Sequence, residues 1–258
     1  MKLACCAYSF RQLLNDGSMT MEGFLDFCVE LGLDGVELTQ YYFPRETDRY
    51  LFGLKREVFA RGLDICGAAV GGNFSAAEED DRVRQIEHVK DWLVKASKLG
   101  APMLRVFAGG CPEGVEEETA RGWVREGLKE CAVTAADHGV VLALESHGGL
   151  TADADGVLAL LEPLASNPWI GMNLDFGNFT GDVYDQYERC ASRAVTTHAK
   201  VTVRQGDGRE RLDYRRIVRI MRDAGYDGYL SIEYEEDEAP KTGVDRFAAY
   251  LRGCIVDA

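Results

Sequence analysis

A chain of 258 residues is long enough to bury a sizeable core, as one large domain or two small ones. The composition is that of a soluble globular protein, and a formal net charge of -14 without a basic, aromatic-rich cluster argues against nucleic acid as a partner. Eight cysteines lie in apolar segments with no CxxC pair, which reads as reduced thiols of a cytoplasmic protein; the start MKLACC lacks a signal-peptide core, and no run is long enough to span a membrane.

Strand-like apolar runs recur along the chain, each followed by an amphipathic helical stretch. The first strand is expected at about Leu3 to Ser9, with a helix at Met21 to Leu31 whose Phe24, Leu25 and Cys28 recur at helical spacing. A second strand, Gly35 to Thr39, sets Val36 and Leu38 against Gly35, Glu37 and Thr39. After a helix from Tyr50 to Arg61 comes strand three, Asp64 to Val70, and then a long helix from Ala77 to Leu99 that stops at Gly100. Strand four, Pro102 to Phe107, puts Arg105 on the face opposite Leu104 and Val106.

A helix from Val115 to His138 precedes GVVLALESHGGL, in which a buried run stops at Glu145, Ser146 and His147. Val141, Ala143 and Glu145 share one face by the two-residue period of a strand; Leu142 and Leu144 form the other. The helix from Thr151 to Leu164 is expected to be capped by Thr151. Strand six, Ile170 to Asp175, a short helix from Tyr184 to Ser192 and strand seven, Ala194 to Lys200, lead into a polar loop, VTVRQGDGRE. A helix from Asp213 to Ala224, strand eight from Gly228 to Tyr234 and a helix from Val244 to Ile255 complete the chain.

Eight strand and helix units with short connections, and no linker, predict an α/β fold: a single-domain (β/α)8 TIM barrel over residues 1–258. A doubly wound open sheet is the alternative, but its GxGxxG turn after the first strand is absent. In a barrel the strand tips converge, so Glu145, Asp175, His198 and Glu233 can share one site. Alone, each would read as a solvated or ion-paired residue. Three carboxylates confined together would repel or take up protons unless a cation compensated them, and a divalent metal is the economical answer. Three oxygen donors and one imidazole, with no thiolate, suit Mn2+, then Mg2+ or Co2+, better than Zn2+. A sugar or hydroxy-carbonyl compound chelated there would have its α-proton acidified and its enediolate stabilised, with Glu145 and Glu233 placed as an acid and base pair. His147, Arg105, Lys200, Arg204 and Glu37 are candidate substrate contacts, against the plainer reading of Arg105 and Lys200 as partners of internal carboxylates. Tyr8, Phe10, Phe74, Phe107 and Phe179 could wall the pocket or pack in the core.

The segments LGLDGVEL, LGAPMLRVFAGG, GVVLALESHGG, NLDFGNF, THAK and GYLSIEYE together resemble the xylose isomerase-like barrel superfamily, in its sugar phosphate isomerase/epimerase group. That resemblance implies Glu145, Asp175, His198 and Glu233 as metal ligands and Glu145 and Glu233 as the catalytic pair. It also puts Arg204 where the epimerases hold substrate, and Asn178 where ketose 3-epimerases carry a substrate-binding histidine. The SHGGL segment replaces a glutamate-bearing one. The acidic run EEDEAP after strand eight is a poor neighbour for a phosphoryl group. The expected activity is a metal-dependent isomerase or epimerase acting on a small, non-phosphorylated ketose or keto-sugar. A lyase using the same proton abstraction is the alternative, followed by a non-catalytic sugar-binding barrel. A three-zinc nuclease of the same superfamily is disfavoured by the four histidines and the acidic charge. A homo-oligomer is compatible with this group.

Overall fold

The computed structural model describes residues 1–257. In chain order, β1 (Lys2–Cys6), α1 (Arg11–Asn15) and α2 (Met21–Glu30) lead to β2 (Gly35–Thr39), α3 (Asp48–Ala60) and β3 (Asp64–Ala69). Then follow α4 (Glu79–Leu99), β4 (Met103–Val106), α5 (Glu117–His138), β5 (Val141–Glu145), α6 (Ala154–Leu161) and β6 (Ile170–Asp175). The chain ends with α7 (Val183–Cys190), β7 (Ala194–Ala199), β8 (Thr202–Gln205), β9 (Gly208–Arg211), α8 (Tyr214–Asp223), β10 (Tyr229–Ile232) and α9 (Pro240–Asp257). The barrel order is β1-β10-β7-β6-β5-β4-β3-β2, every pairing is parallel, and β1 closes it by bonding to both β10 and β2. This is the (β/α)8 barrel expected from the repeat.

Local chemistry sets most of the element ends. Gly100 and Gly139, at φ of 88° and 65°, terminate the two longest helices in the left-handed conformation that glycine adopts without strain. Asp213 caps α8 by accepting from the amides of Arg215 and Arg216. Two expectations are corrected. Asp153, not Thr151, caps α6 by accepting from the Gly156 amide at 2.8 Å, while Thr151 Oγ1 accepts from the His147 amide. The polar stretch after strand seven is not a loop but the antiparallel hairpin β8–β9.

Strand alternation separates two worlds. Leu104, Leu142, Leu144, Met172, Leu174 and Ile232 face outwards and merge with Trp92, Leu128, Leu160, Met221 and Leu251 of the helices in one continuous apolar core. The inward face is made of small and polar residues: Ala143, Gly171, Asn173, Thr196 and Ser231 all lie buried there. Low in the lumen, Met103 fills the room beside Gly67, where a Cβ would come within 2.0 Å of its Cε. Register shifts at Val36/Glu37 and Met172/Asn173 each skip one residue of the partner strand, re-aiming the side chains above them.

Candidate active site

The four expected ligands do meet. Glu145 ends β5, Asp175 ends β6, His198 stands in β7 and Glu233 directly follows β10, with exposures of 2, 0, 0 and 5%. His198 Nδ1 lies 3.6 Å from Glu145 Oε2, 3.5 Å from Asp175 Oδ2 and 3.5 Å from Glu233 Oε2. Among the described residues neither His198 Nδ1 nor Asp175 Oδ2 has a hydrogen-bond partner, although both are buried. Two orphaned polar atoms aimed at one point are a costly arrangement unless something else satisfies them.

The opposite imidazole nitrogen explains the orientation. His198 Nε2 lies 3.0 Å from each oxygen of Glu37, and Glu37 Oε2 also accepts from Ser231 Oγ at 2.8 Å. A carboxylate that accepts a hydrogen bond from Nε2–H fixes the ring and turns Nδ1 towards the acidic cluster, as the outer partner of a metal-binding histidine does. Glu37 is fully buried behind the imidazole, against His198, and is not among the residues that line the pocket above it.

Donors sharing a divalent ion at about 2.1 Å lie roughly 3.0–3.6 Å apart, and the distances from Nδ1 to the three carboxylates fall in that range. Glu145, Asp175 and His198 offer ligand atoms within 4.8 Å of one another, and so do Cys6, His198 and Glu233. Glu145, Asp175 and His198 thus form one set that could hold a divalent cation, and Glu233 meets the same imidazole in the second set. Electrostatics point the same way. Burial alone would lower the His198 pKa, but Glu233, Glu37 and Glu145 outweigh it and raise the value well above the usual histidine range, so a proton is drawn to this position when no metal is bound.

The two glutamates differ. Burial pushes the Glu145 carboxyl up to about 7, against the pull of Arg105 and His198. Burial would raise Glu233 too, but His198 and Lys200 outweigh it and hold Glu233 down at about 2. Lys200 Nζ lies 2.9 Å from Glu233 Oε2, 3.5 Å from Asp175 Oδ2 and 2.5 Å from Glu235 Oε2. Arg105 Nε is ion-paired with Glu145 Oε2 at 3.1 Å, and that oxygen accepts a hydrogen bond from Asn173 Nδ2 at 3.1 Å. Both cations are thus paired with internal carboxylates while bordering the pocket.

That pocket, about 270 Å³, opens above the cluster between Glu145, Glu233, Arg105, Lys200, His147 and Asn178, with Tyr8, Tyr41, Phe107 and Glu235 completing its walls. Asn178 Nδ2 donates to the Ser146 carbonyl at 2.8 Å, which fixes its side chain at the rim. The His147 ring packs on Phe107 at 4.3 Å, and the Arg105 guanidinium covers Phe107 at 4.1 Å. Of the aromatic candidates, Tyr8 and Phe107 reach the pocket, whereas Phe10, Phe74 and Phe179 are core residues. Arg204 is exposed on β8 and is not among the residues bordering this pocket.

Sequence reasoning missed Tyr41, Glu235 and Cys6. Tyr41 sits in the turn just beyond β2, a strand-tip position that was a usable signal. Glu235 was visible only as one of an acidic run. Cys6, whose Sγ is 3.7 Å from Glu233 Oε1, ends β1 and was readable only as one more apolar residue.

Comparison with known proteins agrees with this architecture. The chain is 23% identical over 250 residues to a Xenopus laevis protein provisionally named hydroxypyruvate isomerase, covering 86% of this chain and 88% of that one. It superposes on D-psicose 3-epimerase from Clostridium cellulolyticum H10, solved with D-tagatose, with a TM-score of 0.79 at 16% identity over 99% of both chains. AsbF of Bacillus anthracis, provisionally a 3-DHS dehydratase, superposes with a TM-score of 0.78 at 20% identity, over 98% of this chain and 99% of that one. At these identities the structural likeness speaks to the fold. Residues 25–254 match the sequence profile described as xylose isomerase-like TIM barrel, and the chain belongs to that family.

Proposed function

We propose that the protein is a divalent-metal-dependent isomerase or epimerase of a small, non-phosphorylated ketose or keto-sugar. The observation that carries this reading is the convergence of three buried carboxylates on the unpartnered Nδ1 of His198, beneath a pocket of about 270 Å³. When bound, the cation, Mn2+ by the oxygen-rich donor set, would polarise adjacent substrate oxygens and stabilise negative charge developing next to the carbonyl. Glu145 and Glu233 border the pocket from non-neighbouring strands, so each can reach a different face of the same carbon. One takes the α-proton and the other returns a proton to the opposite face; their unequal proton affinities suit unequal roles. Lys200 and Arg105 hold the two carboxylates in place, and the Phe107 and Tyr8 walls limit water.

The names of the hydroxypyruvate isomerase relative and the psicose epimerase support an isomerase of small carbohydrates. The dehydratase name of AsbF, and Asn178 standing where ketose epimerases carry histidine, favour a lyase as the second reading. Among the described residues no helix is long and apolar enough to cross a membrane, and all eight cysteines are free, which suits a reducing cytoplasm.

The test is elemental analysis after dialysis and reloading with manganese, magnesium, cobalt or zinc, on the native protein and on Glu145→Gln and Asp175→Asn. One manganese or cobalt per chain, weakened in both variants, is expected. Deuterium uptake from solvent with conserved formula identifies the isomerase, and an unsaturated product the lyase. Three zinc ions per chain would reinstate the nuclease reading, and no specific metal uptake would leave a sugar-binding barrel.

A further inference from the structure

A second cavity of about 310 Å³ adjoins the reaction pocket, and the two share Phe107 and His147 as a common wall. Its remaining lining is nearly all glycine: Gly72, Gly109, Gly110, Gly148 and Gly149. These residues do not merely lack side chains. A Cβ on Gly149 would lie 2.5 Å from the Gly109 carbonyl oxygen, and that same oxygen accepts from the Leu150 amide at 3.0 Å, so the loops after β4 and β5 are clasped backbone to backbone. The result is a bare floor reached from the rim where His147 meets solvent.

The two cavities differ in chemistry. The reaction pocket is bordered by Glu145, Glu233, Glu235, Arg105 and Lys200, whereas among the described residues no lysine, arginine or carboxylate lines the glycine cleft. Small-molecule pockets commonly run from about 300 Å³ upwards, so the reaction pocket alone suits one small sugar and leaves the neighbouring space open. We propose that the glycine cleft is a second subsite, taking a neutral sugar ring attached to the reacting ketose or keto-sugar. Phe107 and the His147 ring, 4.3 Å apart, give that ring an apolar face to rest on, and the peptide groups of the two loops give its hydroxyls partners. A phosphoryl group is disfavoured because the cleft has no cation to match it and carboxylates stand across the wall. The proposal rests on the reaction pocket being a sugar site.

Gly110 supplies the test. A Cβ there meets nothing within 4 Å and its φ is not in the left-handed region, so a larger side chain is compatible with the fold and occupies the cleft. Magnesium-loaded protein is titrated calorimetrically with a free ketohexose, a disaccharide ending in the same free ketose, and the ketose phosphate. The native protein is expected to bind the disaccharide about tenfold more tightly than the monosaccharide, Gly110→Leu to bring that ratio to near one, and Gly110→Ala to fall between, with thermal melts confirming that both variants fold. A native ratio near one, a ratio unchanged in Gly110→Leu, or preference for the phosphate overturns the subsite while leaving the reaction pocket standing. Failure to bind any saccharide overturns both.

Discussion

The outward and inward faces of the same eight strands obey opposite rules. Outside, Leu142 and Leu144 join an unbroken apolar layer under the helices; inside, one residue away, Ala143 and Glu145 belong to a lumen of small and charged groups. Burial is equally complete on both sides, so burial alone says nothing about what a residue does. The outer layer supplies stability by removing apolar area from water. The inner layer concentrates buried charge that is stabilised only by partners, and Glu37, Glu145, Asp175 and Glu233 outnumber Arg105 and Lys200 there.

The sharpest way to break this contrast is a pair of substitutions, one on each face. Asp175→Asn should lower turnover by about 10²–10⁴-fold and abolish tight cation binding, yet leave the melting temperature of the cation-free protein unchanged or higher, because a repelling charge is removed. Leu144→Ala should cost about 2–5 kcal/mol in urea unfolding with cation stoichiometry intact below the transition. If both variants lose stability equally, the division between the faces is wrong.

Glu37→Gln probes the layer behind the metal position. Losing the carboxylate that orients His198 should weaken cation affinity by about 10–100-fold, while substrate KM at saturating cation stays near native. A raised KM with native cation affinity would restore Glu37 as a substrate contact.

Acidity should separate the faces more gently. In cation-free protein Glu145, raised to about 7 chiefly by burial, binds its proton more tightly folded than unfolded. The stability this supplies is complete below the usual glutamate value of 4.5 and is lost as pH rises through about 7. His198, held protonated by Glu233, Glu37 and Glu145 in spite of burial, shifts in the same direction. Glu233, depressed to about 2, contributes above the usual carboxylate range and loses that contribution only in strong acid, outside this window. Added manganese should therefore raise the melting temperature little at pH 5 and progressively more towards pH 8; a shift that shrinks with pH would contradict the proton competition. The smallest effect is expected at Arg204, whose exposure predicts less than about a threefold change in kcat/KM for Arg204→Ala, well under the tenfold that 1.4 kcal/mol represents. A larger loss would show that the β8–β9 hairpin folds over the pocket during turnover.

Much of this was legible in the sequence because the runs that make the outer layer end in polar residues at the strand tips. β2 and β6 match their expected spans, and Glu145, Asp175, His198 and Glu233 converge as their shared parity and tip positions require. Parity told which side Glu37 faced but not its depth. Depth depends on the stagger between strands and on the register shift at Val36/Glu37, which no local pattern encodes. The hairpin escaped because its strands, TVRQ and GRER, carry Val203 as their one apolar residue, so the alternation that marks a strand was missing although the QGDG turn was present.

Met103, seated beside Gly67, gives the lumen a closed floor beneath the carboxylates. Under the proposed proton transfer, a hydrogen lifted by Glu145 or Glu233 would leave by way of the pocket above them and not through the barrel beneath. Exchange of that hydrogen with solvent would then be slowed while ligand covers the pocket, and the ratio of solvent label to turnovers would become a clock for the residence of the ligand over the barrel.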